Sequence, residues 1–475
     1  MAATHSLLYK NFDKLPGALV RPATGIHLHT SDGRKILDAT SGAAVACLGY
    51  DNKPVQQAVI NQLLSVPYCH PGFYKTQSAE DLADFLVQST HGRMSKAVLC
   101  GSGSEAVEVA LKLAKTHFLH LPTPEPERSH FITRVGAWHG ATLGVLSLGD
   151  FKNTSRVSAC SAYRGLRPGE LEAAYVQRLA QELDDEFQRV GPHKVCAFVA
   201  ETIGGSASGC AMPVRGYFRA VKDVCEKYGA LLLLDEVMCG MGRTGTLHAW
   251  DHDDVGVVPD MAVVGKGLGA GYAPISAVLV HTRLVDSFRA SAKPFAHGQT
   301  YMAHPQAAAA GLAVQRVIRD EKLLERVRVM GAHLERGLKS SLLSHPFVGD
   351  IRGRGLFWAV EFVKDKNSKT PFPQSLELHA KMQARGIAKG YEIALFNAGG
   401  GYDGYAGDHL LICPPFIVTE GDVDDIVART KRVVQDTFAD MVVAHVETLA
   451  LKANGPSVVK TEEVVVQRDV GGGGR

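Results

Sequence analysis

The stretch Ala97-Val-Leu-Cys-Gly-Ser-Gly-Ser-Glu-Ala106 joins a short apolar run to an amphipathic helical pattern. After it, apolar side chains recur at helical spacing, while Glu108 and Lys112 fall on another face. Comparable apolar runs, each followed by a helical pattern, occur at Phe131–Val135, Val195–Ala200, Leu231–Leu234, Met261–Val264 and Ile275–Val280. Continuous apolar strands that alternate with helices are typical of a parallel sheet covered on both faces. We therefore predict an α/β fold whose large domain has a mainly parallel central sheet flanked by helices.

The last third of the chain has a different pattern. An Ala-rich stretch from Gln306 to about Leu342 predicts one or two long helices, Val348–Phe362 has strand character, and Asp422–Val442 has helical character. We expect four parts: a segment at 1–60 that packs with the small domain, a large domain at 61–305, a linking helix and smaller α+β domain at 306–445, and a disordered tail at 446–475.

Composition narrows the class of protein. The 475 residues are 45% hydrophobic and 21% charged, and the net charge of +2 is spread without a basic stripe for nucleic acid or an anionic membrane. The nine cysteines stand singly, which argues against a metal cluster and fits reduced thiols in the cytoplasm. The N-terminus lacks the features of a signal or transit peptide, and no apolar run is long enough to span a bilayer. We expect a cytoplasmic protein that acts on small molecules, without a metal, nucleic acid or membrane partner.

The turn Gly101–Glu105 is the first of three polar groups that follow apolar strands, where ligands collect in open α/β sheets. Glycines, serines and a helix N-terminus suit a phosphate, but a simple helix cap explains the same residues equally well. A dinucleotide site is a third interpretation, because the turn matches the pattern G-x-G-x-x-A and Glu125 and Glu127 follow about 20 residues later.

Asp235 and Lys266 are the other two groups. Asp235 closes an apolar run, so its carboxylate needs a partner: a protonated pyridine nitrogen would serve, as would a helix cap or an ion pair with Arg243. Lys266 follows a second apolar run and lies between two glycines. Most lysines lie on the solvated surface, but one in an apolar setting has a lowered pKa and can act as a nucleophile.

An aromatic element, Trp138-His-Gly140, follows a further strand. Its indole could stack on one face of a ring, and Val237, two residues after Asp235, could cover the other face. A buried core tryptophan is the common alternative. Each group alone is weak evidence for a ligand site, and only their shared position at strand ends supports one.

Taken in chain order, these motifs resemble the class III pyridoxal-phosphate (PLP) aminotransferases. The resemblance runs from about Gly25 to about Val442 and includes Gly-Ser-Gly-Ser-Glu-Ala, Trp-His-Gly, Leu-Asp-Glu-Val, Gly-Arg-Thr-Gly, Gly-Lys-Gly-Leu-Gly and His-Gly-x-Thr-Tyr. It implies the type I fold of PLP-dependent transferases. It also implies a ping-pong transamination between an amine donor and a carbonyl acceptor, with Lys266 as the catalytic Schiff-base lysine.

Carried over by position, the resemblance implies that Asp235 binds the ring nitrogen and that Trp138 and Val237 cover the ring faces. Thr300 would reach the phosphate across the interface of a homodimer with shared active sites. The full set of implied PLP-binding residues is Ser102, Gly103, Ser104, Trp138, His139, Glu201, Asp235, Val237 and Thr300.

The chain departs from ornithine- and GABA-type relatives where they bind a carboxylate. Ala141 stands where those relatives have an arginine, and Tyr405–Ile412 contains none. Loss of a guanidinium weakens selection for an α-carboxylate. Ala43–Ala44 offers small side chains, and Tyr50 and Tyr74 are candidate substrate contacts. We expect an amine or ω-amino substrate.

Two alternatives stay open at this point. An aminomutase, a racemase or a decarboxylase on the same scaffold would carry the same motifs, because these reactions share their first step. A nicotinamide-dependent oxidoreductase would explain the glycine pattern but leaves Asp235 and Lys266 without a role.

Overall fold

The computed structural model describes residues 18–150, 153–400 and 406–453 of the chain. Of the described residues, those up to Val433 form one compact unit, and those from Val434 belong to a second. Residues 454–475, most of the expected tail, lie outside the described part of the chain. The domain boundaries at 60, 305 and 445 stay a prediction.

The strands of the described residues are short and belong to three sheets. They are β1 (Val20–Thr24), β2 (His27–Thr30), β3 (Lys35–Asp38), β4 (Met94–Cys100), β5 (His130–Arg134), β6 (Thr154–Val157), β7 (Val195–Glu201), β8 (Leu231–Glu236), β9 (Met261–Val264), β10 (Ser276–His281), β11 (Val348–Arg354), β12 (Phe357–Phe362), β13 (Ile393–Ala394), β14 (Phe396–Gly399) and β15 (Asp408–Ile412).

The helices alternate with the strands of the largest sheet and then dominate the C-terminal third. They are α1 (Ser41–Ala44), α2 (Lys53–Ser65), α3 (Gln77–Gln88), α4 (Gly103–Leu119), α5 (Leu143–Asp150), α6 (Ala162–Gly165), α7 (Glu172–Val190), α8 (Tyr217–Lys227), α9 (Thr282–Ser291), α10 (Pro305–Asp320), α11 (Leu323–Leu342), α12 (Leu378–Gly386) and α13 (Glu420–Ala453).

The central sheet has seven strands in the order β4-β10-β9-β8-β7-β5-β6. All six apolar runs identified in the sequence are strands of this sheet, and every residue of β7 and β8 is buried. The five strands from β9 to β6 run parallel, so the prediction of a mainly parallel sheet is confirmed. One strand differs: β10 runs antiparallel to both β4 and β9.

Helices cover the central sheet as their apolar patterns predict. In α4, the residues that recur at helical spacing from Ala106 to Ala114 are buried, and Lys112 faces outward. The Ala-rich stretch forms two helices, α10 and α11, separated by two residues. No helix of the described ranges is both long enough and apolar enough to cross a bilayer.

Two four-stranded sheets complete the first unit, in the orders β1-β2-β3-β13 and β11-β12-β15-β14. The stretch Val348–Phe362 is an antiparallel hairpin of β11 and β12, which confirms its strand character. β3 pairs with β13, so the N-terminal segment shares a sheet with the C-terminal third.

The sheet register brings the carboxyl ends of three strands to one edge. Glu201 of β7 is opposite Asp235 of β8, and Asp235 is opposite Val263 of β9. Because β10 runs the other way, its first residue, Ser276, is paired with Cys100 at the end of β4. The polar groups that follow these strands therefore emerge together.

Candidate active site

A cavity of about 190 Å³ opens at this edge of the central sheet. Its lining contains Lys266, Asp235 and part of the glycine-serine turn, which lie at the ends of three different strands. The lining residues are Gly103, Ser104, Trp138, His139, Gly140, Glu201, Ile203, Ser206, Asp235, Val237, Met238, Cys239 and Lys266.

Asp235 lies at the base of the cavity with 4% of its surface exposed. Its Oδ2 accepts a hydrogen bond from Nδ1 of His139 at 2.8 Å, and its Oδ1 accepts one from the backbone N–H of Val237 at 3.0 Å. The ion pair with Arg243 is not formed, because that guanidinium donates to the Pro414 carbonyl at 2.6 Å instead. A buried carboxylate at this position can stabilise a cation placed in the cavity.

Lys266 begins a tight turn between β9 and β10. Its φ of +41° lies in the left-handed region, which strains a residue with a side chain and occurs often at functional sites. Gln315 on α10 donates to the carbonyls of Gly267 and Leu268 at 3.2 and 3.1 Å and so anchors the turn to α10. Burial lowers the pKa of Lys266, and the negative charges of Asp235 and Glu201 only partly oppose this effect. The amine is therefore easier to deprotonate than that of a surface lysine.

The turn before α4 is a helix cap that also borders the cavity. Ser102 is the N-cap, and its side chain accepts from the N–H of Glu105 at 3.2 Å. Gly103 and Ser104, the next two residues, line the cavity. First-turn N–H groups have no acceptor within a helix, and the helix dipole is positive at this end, so these two residues can bind an anion.

Trp138 and Val237 lie on the walls of the cavity. Trp138 has 51% of its surface exposed, so it is not the buried core tryptophan of the alternative interpretation. Val237 packs against the turn so closely that a Cβ at Gly103 would lie 2.8 Å from its Cγ1. A flat ring between the two side chains would be covered on both faces.

Glu201, at the end of β7, organises the wall beside Trp138. Its Oε1 accepts from the N–H of Gly205 at 2.7 Å, and its Oε2 accepts from the N–H of Trp138 at 3.3 Å. Burial raises the pKa of this carboxyl group. The loop after β7 was not singled out from the sequence, although Ile203 and Ser206 line the cavity; their position after an apolar strand is the signal that could have identified them.

Four residues of the predicted site lie outside the cavity lining. Ser102 caps α4 one residue away, and Thr300 is exposed in a turn of the single chain. The hydroxyl of Tyr50 donates to Asp38 at 2.5 Å, and Tyr74 is 67% exposed. Their roles stay a prediction.

Neither of the two acidic residues that the dinucleotide interpretation requires lies near the cavity. Glu125 is paired with Arg128, and Glu127 lies 3.3 Å from His193, at the far end of α4 from the cavity. The described residues also contain no group of three or more histidine, cysteine, aspartate or glutamate side chains that could hold a metal.

The cavity residues fit PLP. Ser104 and Gly103 offer an anion site at one end, Asp235 offers a buried carboxylate for a pyridinium nitrogen, and Lys266 offers an amine. The glycine at 103 is required sterically, because a Cβ there would meet Val237 at 2.8 Å in the space beside the ring position. Shape, charge and donor set therefore agree.

We expect Gly103→Val to weaken PLP binding by at least about tenfold, because its side chain must displace Val237 and block the anion site. A PLP titration followed by absorbance measures this loss. Gly421→Ala is the matched control, since the nearest atom to an added Cβ there is 4.0 Å away. Retention of wild-type PLP affinity by Gly103→Val would contradict the assignment of the anion site.

The chain is similar to known aminotransferases over most of its length. The model of the family "Aminotransferase class-III" matches residues 9–434. An aminotransferase of Gibberella zeae is 45% identical over 85% of this chain and 81% of its own length. An uncharacterized aminotransferase of Schizosaccharomyces pombe is 43% identical over 91% and 95%. Among solved structures, the omega transaminase of Pseudomonas jessenii in complex with PMP superposes with a TM-score of 0.84 at 30% identity and covers 91% of this chain and 96% of its own.

Proposed function

Because the chain belongs to the class III aminotransferase family, we propose that it moves an amino group from an amine or ω-amino substrate to a keto or aldehyde acceptor. The enzyme is a PLP-dependent transaminase. The observation that carries the assignment is that Lys266 and Asp235, which leave the sheet from different strands, line one cavity. An oxidoreductase would not need this pair.

Each cavity residue has a distinct task in this reaction. When bound, PLP supplies an aromatic ring that takes up the electrons released as the substrate loses a proton. Lys266 would accept and return that proton, because its lowered pKa makes the amine available as a base. The buried carboxylate of Asp235 would hold the ring-nitrogen end of the cofactor, and its negative charge would favour a protonated nitrogen. The first-turn N–H groups of α4 hold the phosphate, and Trp138 keeps water from one ring face.

The absence of a carboxylate clamp supports the proposed substrate class. Among the described residues that line the cavity there is no arginine, and Lys266 is needed for catalysis. Ile203, Ser206, Met238 and Cys239 form an uncharged wall beside it. Ala44 packs in the same buried cluster as three of these residues, and its methyl group leaves space that a large side chain would fill.

We expect a panel of donors to show turnover with primary amines and with ω-amino acids whose carboxylate is remote. Ornithine and 4-aminobutyrate serve as reference donors, and the absorbance band of the bound cofactor reports each reaction. Product analysis with and without a keto acid also separates transamination from racemisation or decarboxylation. Activity confined to the two reference donors would contradict the substrate proposal and leave the family assignment intact.

We also propose that two copies of the chain share their active sites. Large apolar side chains are exposed on α2 and the segment after it, and the ring of Tyr68 lies 6.2 Å from that of Tyr301, beside Thr300. The most exposed of them are Leu64 at 81%, Phe73 at 76% and Tyr74 at 67%. Burial of such a surface by a second copy is favourable and would carry Thr300 to a neighbouring phosphate.

We expect the wild-type protein to have the mass of a dimer in light scattering and Thr300→Val to bind PLP about tenfold less tightly, because a hydrogen bond to a charged group is lost. Thr116→Val, on α4 and away from the cavity, is the control. A monomeric holoenzyme, or an unchanged PLP affinity in Thr300→Val, would count against shared sites.

A cytoplasmic location completes the proposal. All nine cysteines are free, and eight of them are buried. Thiols that stay unpaired fit a reducing compartment, because disulfides form where the environment is oxidising.

A further inference from the structure

The loop that follows Glu201 is held from outside the central sheet. Ile203 and Ser206 of this loop line the cavity. A hydrogen bond from the N–H of Gly204 to the carbonyl of Ala211, at 2.9 Å, closes the loop. Two side chains of the C-terminal sheet bind the loop from behind. Arg352 of β11 donates to the Ser208 carbonyl at 3.1 Å, and Nε2 of His409 on β15 lies 2.6 Å from the Ser206 carbonyl.

The contact of His409 requires one particular tautomer. A carbonyl oxygen only accepts, so Nε2 carries the proton and donates to Ser206. The other ring nitrogen, Nδ1, is buried and has no hydrogen-bond partner among the described residues. Burial and then the charge of Arg352 lower the pKa of His409 to about 4, so the ring is neutral at physiological pH and offers a single N–H.

The loop cannot move away from these contacts easily. Gly209 has a φ of +58°, and a Cβ there would lie 2.8 Å from Nη2 of Arg352 and 3.0 Å from the His409 ring. Arg352 is itself anchored to Asp350 at 2.9 Å and to the fully buried Glu361 at 2.5 Å. The position of Ser206 is therefore determined by the C-terminal sheet as well as by β7.

We propose that His409 is a positioning residue for substrate recognition: it holds Ser206 at the depth in the cavity that the substrate chain requires. The proposal rests on the proposed function, because it assigns the uncharged wall of the cavity to the amine substrate. Most of the proposed cofactor contacts, at Asp235, Lys266 and the start of α4, lie on other strands. Glu201 directly precedes the loop, and its own bonds to Gly205 and Trp138 do not involve His409. Loss of the His409 contact thus acts on the substrate side of the site and leaves the cofactor side unchanged.

Two substitutions test whether the hydrogen bond to Ser206 is required or whether any polar side chain at position 409 is sufficient. The amide nitrogen of glutamine reaches about as far as Nε2 of histidine, so His409→Gln keeps the donor. The amide of asparagine is one bond shorter, so His409→Asn stays polar but cannot reach the Ser206 carbonyl. The matched control is His248→Asn, because His248 is equally buried, has one bond through Nε2, to Ser89 at 2.8 Å, and has an unpartnered Nδ1.

The experiment measures kcat, KM for the best amine donor, PLP affinity and the melting temperature of each holoenzyme. We expect His409→Asn to raise KM about tenfold with PLP affinity unchanged, His409→Gln to restore KM to within about threefold, and His248→Asn to lower the melting temperature without a change in KM. An unchanged KM in His409→Asn, a failure of His409→Gln to restore it, or a parallel loss of PLP affinity would each overturn the proposal. A wild-type enzyme that turns over no amine would instead refute the proposed function before any variant is compared.

Should His409→Asn fail to fold, Gly209→Ala tests the same contact from the loop side. Its Cβ displaces the ends of Arg352 and His409 without removing either side chain. We expect the same rise in KM at constant PLP affinity, and an unchanged KM would overturn the proposal in this variant too.

Discussion

Lys266→Ala is expected to lower kcat by about 10³-fold or more. In the proposed mechanism, the variant loses both the nucleophile for the cofactor and the base that moves the substrate proton, and general base catalysis alone contributes about 10²- to 10⁴-fold. No other lysine lines the cavity in the described part of the chain, so no neighbouring amine can replace it. Single-turnover absorbance measurements with a good amine donor give the rate.

The cofactor should remain bound in Lys266→Ala, because the proposed phosphate site at α4 and the carboxylate of Asp235 are intact. Lys266→Arg keeps a positive charge but has no amine that can lose its proton at neutral pH, so it should be as inactive as the alanine variant. Lys115→Ala removes an exposed lysine from the outer face of α4 and should have wild-type kcat. Turnover of Lys266→Ala within tenfold of wild type would refute the assignment of the lysine.

Asp235→Asn is expected to lower kcat by about 10²-fold while the protein stays folded. The amide keeps the shape of the side chain but removes the negative charge, so a proton on the ring nitrogen is no longer stabilised. Breaking one buried charge pair costs about 3 kcal/mol, which corresponds to about 10²-fold in rate if the whole loss falls on the transition state. Steady-state kinetics give kcat, and the absorbance band of the bound cofactor should shift as its ring nitrogen loses the proton.

A second buried aspartate provides the control for this substitution. Asp260 is 1% exposed and accepts from the N–H of Leu232 at 2.8 Å, but it precedes β9 and so lies at the opposite edge of the sheet. Asp260→Asn should lower the melting temperature and leave kcat unchanged. Equal losses of kcat in the two variants would show that Asp235 contributes to stability alone.

The parts of the fold that could be predicted are those whose residues are buried on both sides. β7 and β8 are apolar throughout and were identified without ambiguity, as was the buried face of α4. The edge strand β6, Thr154-Ser-Arg-Val157, was missed because a half-exposed polar strand has no distinctive periodicity. The direction of β10 was also beyond prediction, since an apolar run is the same for a parallel and an antiparallel strand.

The candidate site also contains some residues that could be predicted from the sequence and others that could not. Groups that directly follow a strand, such as Asp235 and Lys266, could be predicted because the sheet places strand ends together. Residues that reach the site through tertiary contacts could not. Gln315 lies in an Ala-rich helix and His409 in an apolar strand, and nothing in their local sequence shows that they hold the lysine turn and the loop after β7.

Because β10 runs antiparallel to β9, it connects the turn that carries Lys266 to the turn that precedes α4. The chain leaves the sheet at Val264, makes the lysine turn and returns at Ser276, whose hydroxyl donates to the carbonyl of Ser102 at 2.6 Å. The β9–β10 hairpin therefore sets the distance between the amine of Lys266 and the backbone amides at the start of α4. A slip of β10 by a single residue would exchange the faces of the strand and displace both the lysine turn and the bond to Ser102, so a change of register would alter both ends of the site at once.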